Sequence, residues 1–248
     1  MRINKVIPFL VPLLILIIWY IVTEFEFVNT RIFPNPKEVV TAFIDLTLSG
    51  ELLKHTWAST QRALIGFVIG GLIGVFLGIL NGLYPIAERF LDSTIQMIRN
   101  IPHLALIPVV IIWFGIGEEG KIFLVVLGVF FPIYVNTFYG IRSIDKGLIE
   151  MAKVYGLKGW SLFTKVIIPG ALPATLVGVR QSLGIMWLTL IVSETVAVDS
   201  GIGYMAMNAR DFMRMDIIIL SIIIYAFLGK ISDLIAKWFE HYMLRWRA

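Results

Sequence analysis

The chain has 248 residues, of which 58% are hydrophobic and only 15% are charged, and its formal net charge is +4 at pH 7. A soluble domain usually carries about 25% charged residues, so this composition and the mean hydropathy of +0.86 predict an integral membrane protein. The absence of cysteine excludes disulfides and thiol chemistry. No basic stretch alternates with aromatic residues, which excludes a nucleic-acid surface.

Six apolar stretches predict an all-α, polytopic membrane protein with about six transmembrane helices, because one crossing needs about 20 mostly apolar residues. They are residues 6–22, 64–83, 90–115, 121–141, 172–197 and 216–236. The first is too long for a signal-peptide core and no small-x-small site follows it, so a retained helix is expected, with a cleaved signal peptide as the alternative. In the third, Pro102 and Pro108 predict kinks.

Three parts follow along the chain. Residues 1–30 are predicted to hold the N-terminal transmembrane helix, 31–63 an external loop, and 64–248 the transmembrane core with a cytoplasmic loop at 145–170. Lysine and arginine are concentrated in the short loops on one side, so both termini and this loop are predicted to face the cytoplasm. Within the external loop, Pro36 to Leu48 predicts an interfacial helix capped by Asn35 and ended by Gly50.

The second span carries a glycine at every fourth position: 66, 70, 74, 78 and 82. Residues four apart lie near one face of a helix, and small residues there let another backbone approach closely. This face is therefore predicted to pack against another helix, within the subunit or across a dimer, and not to have a chemical role.

Polar residues inside the spans are candidates for a transport pathway, because burying them in a membrane is costly. The candidate pathway or gate residues are Arg99, Asn100, His103, Asn136, Arg180, Trp187, Glu194, Asn208 and Arg210. Glu194 either lines the pathway or reaches the outer interface. Arg180 either extends to the inner headgroups or attracts an anion in the pore. Lys230 and Asp233 lie one helical turn apart and are predicted to pair.

The sequence lacks the motifs of an enzyme. No Gly-x-x-x-x-Gly-Lys-[Ser/Thr] phosphate loop is present, so no ATP hydrolysis by this chain is expected. His55, His103 and His241 are far apart, without a His-Glu-x-x-His helix for zinc, and no Gly-x-Ser-x-Gly turn occurs. Neither a catalytic residue nor a cofactor or metal bound by the chain is predicted.

The stretch EMAKVYGLKGWSLFTKVIIP at 150–169 is polar and cationic between two apolar runs. It predicts a short helix, a turn at Gly156 and Gly159, and a second short helix that stops at Pro169. A structured cytoplasmic loop in so small a membrane protein indicates a docking site for a partner. An ordinary amphipathic loop helix is the alternative.

The spacing in this loop resembles the EAA loop of the membrane subunits of bacterial ABC importers, the binding-protein-dependent transport system inner membrane components. Glu150, Ala152 and Gly156 are followed by nine residues and then Val166-Ile167-Ile168-Pro169, while Met151 replaces one alanine of that pattern. In that family the loop docks into a groove on the cytoplasmic ATPase. The resemblance therefore assigns ATPase coupling to Glu150, Ala152, Gly156 and Pro169.

Other stretches resemble the permeases for aliphatic sulfonates, with those for taurine and nitrate close by. They include RNIPHLALIPVVIIWFGIG at 99–117 and the tract around Trp187. The segment GIGYMAMNARDF at 201–212 resembles a re-entrant gate segment of the importer family, and an interfacial connector is the alternative. This resemblance implies a type I ABC importer permease fold in the bacterial inner membrane. It also implies a second copy of the chain, two copies of a cytoplasmic ATPase that bind ATP and magnesium, an external substrate-binding protein and surrounding lipid.

A sulfonate is a permanent anion, so pore-facing donors such as Arg99, Asn100, His103 or Arg180 are expected to ease its passage. Two other classes compete with the importer. An ion-coupled secondary transporter usually has two related halves with broken helices, which this sequence lacks. A structural membrane subunit would leave Glu194 and the polar fourth span without a purpose. Within the importer class, taurine or nitrate remains the alternative substrate.

Overall fold

The computed structural model describes residues 7–30, 32–195 and 199–247, without the side chains of 7–9, 103, 104 and 247. Over those ranges the regular elements are all helical. They are α1 Ile7–Glu24, α2 Pro36–Leu48, α3 Glu51–Leu83, α4 Pro85–Arg99, α5 His103–Phe114, α6 Glu118–Arg142, α7 Lys146–Val154, α8 Gly159–Leu162, a π-helical turn Phe163–Ile167, α9 Ile168–Glu194, α10 Ile202–Asp211, α11 Met215–Met243 and a 3₁₀ turn Arg245–Arg247. The chain forms two compact units: unit 1 is Met1–Ser59 with Asp199–Ala226, and unit 2 is Thr60–Val198 with Phe227–Ala248.

The all-α membrane architecture predicted from composition is confirmed. Among the described residues, four helical stretches are long and apolar enough to cross a membrane: Glu51–Leu83, Glu118–Arg142, Gly159–Glu194 and Met215–Met243. Two shorter apolar helices, Leu10–Glu24 and Ala105–Phe114, fall in the predicted first and third spans. Large apolar side chains such as Leu72 and Ile112 are exposed on these helices, as expected for surfaces that contact lipid.

The third predicted span, 90–115, is wrong as a single helix. α4 ends at Arg99 and α5 begins at His103. Pro102 disfavours the helical conformation of the residue before it and donates no backbone hydrogen bond, so the helix is interrupted there. Pro108, by contrast, lies inside α5 without ending it. The start of the predicted core is also wrong. The external loop was predicted to extend to residue 63, but α3 begins at Glu51, so residues 51–63 are helical and not a loop.

Unit 1 is built on the contact of α1, α2 and the first turns of α11. The predicted bounds and cap of α2 are confirmed: it spans Pro36–Leu48, and the Asn35 side chain accepts a hydrogen bond from the Lys37 amide at 3.0 Å. Trp19 Nε1 donates to the Pro34 carbonyl at 3.0 Å, which fixes the chain between α1 and α2. Val39, Ala42 and Leu220 form the buried core of this unit.

Helix α6 lies at the centre of unit 2, with glycine contacts on two sides. A Cβ at Gly70 of α3 would lie 2.5 Å from the Val126 carbonyl oxygen, so only glycine allows this approach. On the other side, a Cβ at Gly178 of α9 would lie 2.8 Å from the Pro132 carbonyl oxygen. The predicted packing role of the glycine face is thereby confirmed, within the subunit.

Buried polar contacts attach α4 to the centre of this unit. The Tyr134 hydroxyl of α6 donates to Asp92 at 2.7 Å and accepts from the amide of Asn81 on α3 at 2.7 Å. Tyr134 and Asn81 are fully buried, where an unpaired polar group would be costly. An ion pair between Arg142 and Glu88 joins the same two helices, α6 and α4. These contacts fix the direction in which α4 presents Arg99, its last residue.

Candidate coupling loop and membrane cleft

The geometry of α7 explains the spacing of Ala152 and Gly156. The Leu157 amide donates to the Ala152 carbonyl at 3.0 Å, and the Gly156 amide donates to the Lys153 carbonyl at 3.0 Å. These two bonds form a Schellman motif, in which the residue past the helix end takes a left-handed conformation. Gly156 has φ +87°, which favours glycine. The sequence therefore fixes where α7 ends, and the predicted first helix and glycine turn are confirmed.

The predicted stop at Pro169 is wrong. Helical structure continues from Gly159 through the π-helical turn Phe163–Ile167 into α9, and Pro169 lies in the first turn of that helix. Proline lacks an amide hydrogen, which would leave a carbonyl of the preceding turn without its partner. The wider π turn, in which the Ile168 amide donates to the Phe163 carbonyl, accommodates this defect. The second half of the loop is therefore one continuous helix with a membrane span.

The surface of this loop carries apolar side chains that face away from the chain. Val154, Tyr155 and Trp160 are 86%, 81% and 75% exposed, and Glu150 is exposed beside them. Ala152, in contrast, is buried. Exposed aromatic and aliphatic side chains next to a carboxylate and several lysines are typical of a surface that binds another protein.

Four charged residues are clustered at the opposite end of unit 2, where α6 begins. Arg62 Nη1 lies 2.7 Å from Glu194 Oε1, Arg62 Nη2 lies 2.8 Å from Glu118 Oε1, and Lys121 Nζ lies 3.1 Å from the same Glu118 oxygen. The side chains of Arg62 and Glu194 are 5% and 0% exposed. Charges removed from solvent require such pairing. Lys121 is buried as well, whereas the Glu118 side chain, at the edge of the group, is 54% exposed. We name Arg62, Glu118, Lys121 and Glu194 the buried charge cluster.

The buried charge cluster shows what surrounds Glu194. Its carboxylate is fully buried and is paired with Arg62. Sequence reasoning missed Arg62 by assigning it to an external loop. The available signal was the uninterrupted helical pattern between Glu51 and the first glycine of the second span, without a proline or glycine to end the helix.

Arg180 and Trp187 hold α9 against the second half of α11. Arg180 Nε donates to Asp233 at 2.7 Å, and Trp187 Nε1 donates to the Ser232 hydroxyl at 2.9 Å. The predicted pair of Lys230 and Asp233 is present at 3.8 Å, although Lys237 is closer to the same carboxylate, at 3.0 Å. Arg180 therefore has carboxylate partners within the chain, Asp233 and, at 4.0 Å, Glu240.

In unit 1, side chains of α3 hold the N-terminus of α10. His55 Nδ1 accepts from the Gly201 amide at 3.1 Å, and the Ser59 hydroxyl accepts from the Ile202 amide at 2.8 Å. These bonds satisfy two amides that have no partner within their own helix. Beside them lies a polar cleft of about 640 Å³, to which Asn208 contributes. Arg210 does not line that cleft; it lies 3.4 Å from Asp211 on the surface.

A second cleft, of about 310 Å³, brings two predicted pathway residues together from α4 and α6. It is lined by Arg99, Gly128, Phe131, Pro132, Val135, Asn136, Gln181 and Ile185, and we name it the membrane cleft. The Asn136 amide donates to the Pro132 carbonyl at 2.8 Å and to Gln181 Oε1 at 3.2 Å. Asn100 instead donates to the Gln96 carbonyl of its own helix at 3.1 Å. The side chain of His103 lies outside the described residues.

Comparisons with known proteins agree with this architecture. Residues 70–245 match the family described as "Binding-protein-dependent transport system inner membrane component". The chain is 56% identical to the protein named as aliphatic sulfonates transport permease SsuC of Escherichia coli, over 98% of this chain and 92% of that protein. It is 44% identical to the protein of the same name in Bacillus subtilis, over 96% of this chain and 86% of that protein. A crystal structure of an amino acid ABC transporter shares the fold, with a TM-score of 0.63 and 18% identity over 82% of this chain and 96% of that one.

Proposed function

The chain belongs to the binding-protein-dependent transport system inner membrane components and is the permease of an ABC importer, and we propose that this importer carries aliphatic sulfonates into the cell. Support for the substrate comes from two relatives named for aliphatic sulfonates transport, which match nearly the whole chain. Taurine or nitrate as the substrate is the outcome that would replace this proposal.

The observation that carries the mechanism is the coupling loop. α7 leads on from α6 through a short connection, and the helix from Gly159 continues into α9. A force applied to α7 and α8 is therefore transmitted to two spans that pack closely along their length. The cytoplasmic ATPase binds at Glu150 and the exposed apolar side chains around it, and Ala152, Gly156 and Pro169 shape that surface.

The proposed complex contains two copies of the chain, two copies of the ATPase and a substrate-binding protein outside the membrane. ATP and magnesium bind to the ATPase, and this chain binds no cofactor of its own. Closing of the ATPase pair on ATP moves the two coupling loops and shifts the permease between inward-open and outward-open states. The chain lies in the bacterial inner membrane with both termini and the coupling loop in the cytoplasm, an orientation supported by the lysines of that loop.

Sulfur-limited growth tests the substrate and the loop together. A strain without this chain is grown on alkanesulfonates, taurine or sulfate as the sole sulfur source and is complemented with wild type or Glu150→Arg. We expect growth to be lost only on alkanesulfonates and restored only by wild type. Unchanged growth on every source, with redundant uptake excluded, contradicts the sulfonate assignment.

The docking surface is tested separately by co-purification with the ATPase. Glu150→Arg is expected to lose the ATPase, because it reverses a charge on the contact surface. Glu38→Arg reverses the charge of an exposed glutamate that is not part of the coupling loop, and this variant is expected to retain the ATPase. Equal ATPase recovery with both variants would contradict docking at Glu150.

A further inference from the structure

We propose that the membrane cleft is a binding site for the transported substrate, in which Arg99 and Gln181 hold the sulfonate group and an apolar wall holds the alkyl chain. We infer further that this cleft disfavours the zwitterion taurine. The inference rests on the proposed function for the chemical class of the ligand, and on the side chains of the cleft for its selectivity.

The charge of Arg99 is the first reason. Arg62, Arg142, Arg180, Arg210 and Arg214 each pair with a carboxylate. Among the described side chains, Arg89, Arg99 and Arg245 have no such partner, and of these three only Arg99 lines the membrane cleft. The cleft residues of α6, from position 128 to 136, lie about halfway along that 25-residue helix. Arg99 is exposed in this cleft without a carboxylate partner, so its guanidinium is available to an anionic ligand there.

The amide of Gln181 is the second reason. Its Oε1 accepts from Asn136, which is itself fixed by the Pro132 carbonyl. This arrangement orients the carboxamide and leaves its Nε2 group without an acceptor in the described part of the chain. A sulfonate offers three acceptor oxygens, which suit a guanidinium fork and an amide donor that line the same cleft.

The rest of the wall determines which sulfonate fits. Phe131, Pro132, Val135 and Ile185 are apolar, and no lining residue that the structure describes is a carboxylate. An alkyl chain is thus accommodated, whereas the ammonium group of taurine meets no opposite charge and loses its hydration. Sulfate and nitrate have no apolar part that could contact these apolar side chains. A cleft of about 310 Å³ is at the lower end of the usual size for small-molecule sites.

Equilibrium binding to the purified permease–ATPase complex, without the external binding protein, tests the site directly. The probe is ³⁵S-labelled butanesulfonate, measured with lipid-free detergent and again with added phosphatidylglycerol. We expect saturable binding of butanesulfonate by wild type. Taurine should compete at least about tenfold less well, a difference of about 1.4 kcal/mol, because its ammonium group enters a cleft without an opposite charge. Arg99→Gln is expected to weaken binding at least tenfold.

Two variants make the test specific. Gln181→Glu keeps the size of the side chain but adds a carboxylate to the cleft that Arg99 lines. It is expected to weaken the binding of butanesulfonate and to reduce the preference for butanesulfonate over taurine. Arg89→Gln removes the same charge from an exposed position of α4 outside the cleft and is expected to leave binding within twofold. A selective loss in Arg99→Gln and Gln181→Glu, with Arg89→Gln unchanged, supports the site.

Other outcomes overturn it. Absence of saturable binding by wild type, or equal binding by Arg99→Gln, removes the site. Displacement of butanesulfonate by phosphatidylglycerol at the Arg99 position, with lipid retained preferentially by wild type, identifies a lipid headgroup site instead. Uptake of butanesulfonate by liposomes holding the complete importer reports on the proposed function independently, because it can persist when binding at the cleft is absent.

Discussion

The two ends of unit 2 differ in which of their side chains are exposed to solvent. Where α6 begins, Arg62 and Glu194 are removed from solvent and paired with each other. Beyond the C-terminal end of α6, Glu150 and the lysines of the coupling loop are exposed, and Tyr155 and Trp160 are exposed with them. Loss of one of two paired buried charges destabilises a fold, whereas exposed apolar side chains remain available to a partner.

This difference separates stability from function within one unit. Changes in the buried charge cluster should alter the free energy of unfolding, because they remove one partner of a charge in the interior. Changes on the surface of the coupling loop should alter binding of the ATPase while the free energy of unfolding stays the same. A substitution at either end that produced the opposite effect would remove the distinction.

The largest effect is expected for Arg62→Ala. It leaves Glu194 buried without this partner, which should lower the free energy of unfolding by about 3–5 kcal/mol. Thermal denaturation of the purified chain in detergent measures this. Arg89→Ala, at an exposed arginine outside the buried charge cluster, should change the free energy of unfolding by no more than about 0.5 kcal/mol. Equal melting temperatures of the two variants would show that the cluster does not stabilise the fold.

Gly70→Ala tests the helix packing that brings α3 against α6. The new Cβ would meet the Val126 carbonyl oxygen at 2.5 Å, so the helices must separate at a cost of about 1–3 kcal/mol in the free energy of unfolding. Gly71→Ala is the matched control, since its Cβ would meet only the end of Ile133 at an ordinary 3.5 Å. A destabilisation of Gly71→Ala equal to that of Gly70→Ala would count against close packing on this face.

Gly156→Ala affects the coupling loop through its backbone. A left-handed conformation costs a residue with a side chain about 1–2 kcal/mol, although a Cβ at this position has no atom within 4 Å. We expect a local loss of protection in hydrogen exchange at the end of α7 and weaker ATPase binding. Gly156→Asn should recover part of both, because asparagine tolerates this conformation better. If alanine and asparagine behave alike, the left-handed conformation is not what matters.

Trp160→Ser is expected to have the smallest effect on folding. The side chain is 75% exposed, so the free energy of unfolding should change by at most about 0.5 kcal/mol. Binding of the ATPase, measured by titration, should weaken at least about tenfold, since aromatic side chains often dominate such interfaces. Trp238→Ser replaces another exposed tryptophan, on α11, and should leave ATPase binding unchanged. A loss of affinity in both variants would point to a general effect of removing tryptophan.

The sequence predicted those features that depend on local chemistry. The cap at Asn35, the glycine face of α3 and the turn at Gly156 are each specified by a few neighbouring residues, and the structure confirms them. The continuation of the helix past Pro169 was not predicted, because the π-helical turn that accommodates proline has no sequence signature of its own.

The sequence by itself determined the membrane class, the helical architecture and the glycine turn that ends α7, because composition, periodicity and helix-end chemistry act over short distances along the chain. Only the tertiary structure decided which distant residues meet. Arg62 is 132 positions from Glu194, and Asn136 is 45 positions from Gln181. Packing of α3, α6 and α9 brings these pairs together, and so it decides which charges are neutralised in the interior and which, like Arg99, are left facing a cleft.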